Sequence, residues 1–130
     1  MVGLSNYCIY TMLHSNTLDM QAAKDDSHSL TERRVWKTGS VLWAEAERSG
    51  ERMLIVFSGA DRATGVFYWA KIDDVQIDYE KRQTTCRYSR LREISPSRPL
   101  SALRLKNGNR QLSDNYIRPY AICLTPSFLV

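Results

Sequence analysis

Residues 53–58 read MLIVFS and residues 66–71 read VFYWAK, with GADRATG between them at 59–65. The first stretch is an almost continuous apolar run, too short for a buried helix and the right length for a central strand. The second is rich in β-branched and aromatic side chains and starts after a turn that carries two glycines, so the pair predicts a β-hairpin. Alternation along the return strand places Phe67 and Trp69 on one face and Val66, Tyr68 and Ala70 on the other. In that reading Trp69, set among apolar neighbours, belongs to the core.

Working outward, residues 74–79 alternate strictly, with Val75, Ile77 and Tyr79 against Asp74, Gln76 and Asp78. Residues 84–90 (TTCRYSR) continue the pattern, with Cys86 and Tyr88 inward and Arg87 and Ser89 outward. Residues 7–13 (YCIYTML) form the first strand candidate. One helix is predicted from Asn16 or Thr17 through Ala22 and Ala23. A second starts at Ser29, whose spacing to Glu32 is that of a capping box. VLWAEAE at 41–47 contains good formers of both kinds and is assigned to a strand. Pro99 opens a short helical turn through Leu100 to Leu103, Asn107-Gly108 marks a turn, and residues 113–117 form a short helix before Pro119. The expected fold is mainly β with short helices (α+β). Its five to seven mostly antiparallel strands make one barrel-like domain over residues 1–130.

With 130 residues, 43% of them hydrophobic, the chain has the material for one real core. No apolar run approaches the roughly 20 residues of a bilayer span, and the opening residues lack the pattern of a secretory leader, so the expected compartment is the cytoplasm, with no membrane partner. Cys8, Cys86 and Cys123 stand far apart and predict reduced, partly buried thiols. With only His14 and His28 beside them, neither a metal site nor a cofactor is expected. The charge is uneven: residues 81–130 hold ten basic and two acidic side chains, residues 1–80 eight basic and twelve acidic ones. A chain polarised in this way presents a positive surface, for which nucleic acid is the commonest partner.

The order of segments carries a resemblance. A strand at 7–10 (YCIY) and short helices lead to Trp36; GERMLIVFS at 50–58 gives way to GVFYWAKI at 65–72; the end reads PLSALR at 99–104, LS at 112–113 and IRPY at 117–120. This order resembles the PUA-like superfamily and, within it, the EVE and ASCH domains. The resemblance implies a mostly antiparallel pseudobarrel whose mouth binds nucleic acid, often RNA or a modified base. In the EVE and related YTH groups a flipped nucleotide enters an aromatic pocket. Trp36 matches the tryptophan before the first glycine turn, and Ser58 the polar residue that closes the apolar strand. Some ASCH relatives are hydrolases that use a lysine, a threonine and a glutamate; Lys37, Thr38 and Glu51 offer those residue types without an alignable match.

An extruded base needs a flat ring beside a small polar group, which Trp36 and Ser58 supply, with Trp43 as a second wall of the pocket. The competing reading of Trp36 is that it seals the barrel end. Phosphate contacts are expected from Arg87, Arg90 and Arg92 and from a second cluster, Arg104, Lys106 and Arg110, beside Asn107-Gly108. Alternation sets Tyr88, Arg90 and Arg92 on one face and Arg87 on the other. The function expected is therefore recognition of RNA or a modified base without catalysis. A small amidohydrolase or nuclease on the same scaffold and a protein-interaction module stand as alternatives, and oligomeric state is left open.

Overall fold

The computed structural model describes residues 3–24, 26–59, 65–108, 110–112 and 120–129. The elements run β1 (Leu4–Leu13), α1 (Ser15–Ala22), β2 (His28–Glu32), α2 (Lys37–Arg48), β3 (Arg52–Gly59), β4 (Val66–Asp78), β5 (Gln83–Arg98) and β6 (Tyr120–Leu124), with short 3-10 turns at Leu100–Ala102 and Ser127–Leu129. The strands form one six-stranded sheet in the order β2-β5-β4-β3-β1-β6. Among the described residues only β1 and β3 pair in parallel. That pairing requires a long crossover, which α1, β2 and α2 provide. The described helices include none long and apolar enough to cross a membrane.

The hairpin expected around 59–65 is present as β3 and β4, joined in the register Leu54↔Lys71, Ile55↔Ala70, Val56↔Trp69 and Phe57↔Tyr68. The stretches 66–71 and 74–79 belong to a single strand, because the bulge between Ile72 and Asp74 absorbs the break in alternation without ending the ladder. Two local expectations are overturned. Ser29 and Glu32 cap no helix; they lie in β2, which pairs with β5 through Leu30↔Cys86 and buries Leu30. Residues 41–47 are not a strand but part of α2, whose Gly39, Leu42, Trp43 and Ala46 recur at helical spacing and face the core. Gly39 allows a close approach there: a Cβ would stand 2.9 Å from Tyr120 Oη and 3.0 Å from Ile9 Cδ1, so both side chains would have to shift. The helix expected at 113–117 lies outside the described residues.

One cluster of buried side chains draws on every strand of the sheet, including Ile9, Leu30, Ile55, Ile72 and Tyr88, with Ile122 packed against it. Leu18 of α1 and Ala46 of α2 close the same cluster. The ends of the strand order meet through side chains. Trp36, just beyond β2, stacks on Tyr120 of β6 at 4.8 Å and 14°. Glu32 of β2 hydrogen-bonds to Thr11 of β1. The sheet is therefore curled around one interior, yet among the described residues no backbone ladder joins β2 to β6. The closed barrel of the sequence reading is corrected to an open mixed sheet whose seam is spanned by an indole–phenol stack.

The outer face carries a second cluster, with Tyr10, Leu54, Val56, Leu103, Leu112 and Leu129 among its members. The C-terminal segment covers it: residues 104–105 form bridges to Gln111 and to Cys123 of β6, so β6 is not left as a bare edge. That cover stops short of the part of β3, β4 and β5 nearest Arg52, Lys71 and Arg90, and the candidate site lies there. All three cysteines are buried and unpaired. Burial pushes the Cys86 and Cys123 thiols up to about 12.

Candidate functional site

An open cavity of about 580 Å³ lies on the outer face of the sheet. Its floor is apolar, made by Leu4 of β1, Leu54 of β3, Trp69 of β4 and Leu129 of the C-terminal turn. Its rim is cationic: Arg52 from β3, Lys71 from β4, and Arg90 and Arg92 from β5 stand against the single acid Glu93. The register explains the convergence. Trp69 is opposite Arg92, and Lys71 is opposite Ser89, so the indole and the ammonium lie two residues apart on the central strand of the patch. Trp69 packs its inner side on the outer apolar cluster and is only half-buried, so part of its ring lines the cavity.

The grouping of the arginines depends on one backbone irregularity. The buried positions of β5 run Thr84, Cys86, Tyr88, then Leu91, so the inward period slips by one between Tyr88 and Leu91. Arg90 sits at the slip with φ 57. A non-glycine residue in that region costs roughly 1–2 kcal/mol and is usual at bulges and functional sites. Strict alternation had kept Arg90 and Arg92 on the face of Tyr88; Tyr88 is buried as expected, and the slip turns both arginines to the outer face, where Arg87 also points. Lys71 Nζ stands 3.4 Å from Asp73 Oδ1, but both side chains are about a third exposed, and such a pair is weak enough to yield to a ligand.

The pocket expected from Trp36 and Ser58 does not form. Trp36 is 0% exposed, stacked on Tyr120, with its backbone N–H bonded to Thr84 Oγ1 at 2.9 Å. No face of its ring is left for a base. Ser58 is 3% exposed and shares a 2.7 Å hydrogen bond with Tyr10 Oη, a member of the outer cluster. The two residues thus lie on opposite sides of the sheet. Trp36 plays its competing part, as the seal of the seam. Trp43 packs from α2 against the interior cluster, with its Nε1 buried and without a hydrogen-bond partner. It forms no second wall beside Ser58.

The second basic cluster is separate from the first. Lys106 and Arg110 border a cavity of about 280 Å³ at the β6 edge, together with Asn107, Thr38 and Tyr120. Lys106 Nζ is 5.1 Å from the centre of the Tyr7 ring. Arg104 is exposed at an isolated bridge to Gln111. Arg87 is exposed on β5, opposite Ser29 on one side and Asp74 on the other. Of the nine residues expected at the site, then, Arg90 and Arg92 line the large cavity, while Trp69, Lys71 and Arg52 were missed. The available signal was parity: Trp69 and Lys71 are two apart on one strand, as are Arg52 and Leu54 on its neighbour, which is the mark of a shared face. The reading of Trp69 as core hid it. No family model and no curated protein matches this chain.

Proposed function

We propose that this protein binds nucleic acid on the outer face of its sheet, with the phosphate backbone held by Arg52, Lys71, Arg90 and Arg92. One observation carries the reading: four cations from three adjacent strands converge on a single open cavity whose floor is an indole and three leucines. Guanidinium groups suit phosphate oxygens because their planar fork donates two parallel hydrogen bonds. A merely solubilising charge has no reason to gather around an apolar floor. The PUA-like relationship belongs to the same proposal, supported by the curl of six strands around one interior to which both helices contribute. Relative to the expectation for that superfamily, the contact surface moves from the mouth to the outer wall, because α1 and α2 close the interior.

The test is a filter-binding titration of an oligonucleotide at several salt concentrations. Affinity falls steeply with salt, and the double variant Arg52→Ala/Arg90→Ala reduces the slope of log K against log salt by about 2. The control Lys106→Ala/Arg110→Ala leaves that slope nearly unchanged. An affinity indifferent to salt, or equal losses in the two doubles, overturns the reading.

A further inference from the structure

We infer that the ligand is single-stranded: an unpaired base lies on the Trp69 indole while its flanking phosphates meet Arg52, Lys71, Arg90 and Arg92. This deepens the nucleic-acid reading and rests on it. The argument begins with the floor of the cavity. Leu4, Leu54, Trp69 and Leu129 offer a ligand an apolar surface, and four cations line the same cavity. A duplex buries the faces of its bases and offers only their edges, sugars and phosphates. Set over this cavity, it would press hydrated phosphates against leucines and an indole. An unpaired nucleotide has both parts the site asks for, a flat π-face for the floor and an anion for the rim.

The dimensions agree. On β3 the lining runs from Arg52 to Leu54, about 7 Å, and from β3 to β5 is two strand spacings, about 10 Å. A floor of that size takes a short run of single strand. Lys71 is two residues from Trp69 on the same strand, about 7 Å away, within reach of the backbone phosphate of a base stacked on the indole. Arg92 is directly opposite Trp69 on β5, so a second cation stands beside the ring across the ladder.

The test measures a labelled 12-nucleotide single strand and the duplex of the same sequence against the whole chain, with Trp69→Ala and Trp69→Phe beside the wild type and a thermal melt to show that each variant is folded. Single strand is expected to bind at least about tenfold more tightly than duplex. Trp69→Ala erases that preference with little change in salt slope, and Trp69→Phe keeps most of it. Indole fluorescence should be quenched by the single strand in the wild type and not in Trp69→Ala, since Trp36 is buried and Trp43 packs inside. If duplex binds as tightly as single strand and Trp69→Ala changes nothing, the single-strand inference falls while the nucleic-acid reading stands. If neither probe binds, the reading itself falls.

Discussion

Trp36 and Trp69 are two indoles held by the same sheet, and they do opposite work. Trp36 lies in the seam between the strand ends, fully enclosed and stacked on Tyr120. Trp69 sits on the outer wall, with one side against apolar neighbours and the other on a cavity edged by four cations. Residue type is identical; what differs is whether another part of the chain arrives to cover the ring. On the inner side the curl of the sheet and α2 provide the cover. On the outer side the C-terminal segment covers Tyr10 and Val56, and Leu129 of its last described turn stands at the border of the cavity. An aromatic side chain becomes available for recognition where the covering layer stops.

The contrast is broken or upheld most directly by truncating each ring. Trp36→Ala removes a fully enclosed indole and its stack, and is expected to cost about 3–5 kcal/mol in urea unfolding. Trp69→Ala should cost distinctly less, about 1–2 kcal/mol, because its ring is only partly buried and borders the cavity. Equal losses would mean that Trp69 is core after all and that the outer wall has no free face.

A smaller effect separates stability from binding within the outer wall. Arg90→Gly relieves a left-handed backbone position and is expected to hold or raise the unfolding midpoint, by up to about 1 kcal/mol, while binding weakens. Loss of stability together with binding would show that Arg90 is held there for the fold alone.

The smallest effect belongs to the seam. Burial holds the Glu32 carboxyl above its ordinary value, against the lowering influence of Arg34 and of the hydrogen bond with Thr11. The folded state therefore favours the protonated acid. Its contribution is fully present below the unfolded value of about 4.3 and is lost as pH rises through the folded one. Glu32→Gln keeps a hydrogen-bonding group without the charge, so its stability relative to wild type should improve between about pH 4 and pH 7 in paired denaturation curves. A gap that does not move with pH would place Glu32 in water, outside the seam.

Much of this was legible from the residues. The run at 53–58 and the aromatic strand after it declare a hairpin, because a short apolar run bounded by turn residues has few other uses. The helix running through Ala22 was placed as well, with its start set one or two residues late. The second helix and β2 were exchanged because their signals were local: Ser29 and Glu32 have the spacing of a cap, yet the pairing of Leu30 with Cys86 outweighs it. Arg90 and Arg92 were found as a pair on one strand, and the slip that turns Tyr88 away from them was not, since a bulge carries no compositional mark when an arginine occupies it.

What the chain determined by itself is its class and its asymmetry of charge: strands with a period of two, enough apolar side chains for a core, and cations gathered late in the sequence. Which indole stays open, and which cations share it, was decided only when β3, β4 and β5 came into register and the sheet curled until Trp36 met Tyr120. The physical reason is that periodicity assigns a side chain to a face, whereas exposure depends on what another segment lays over that face.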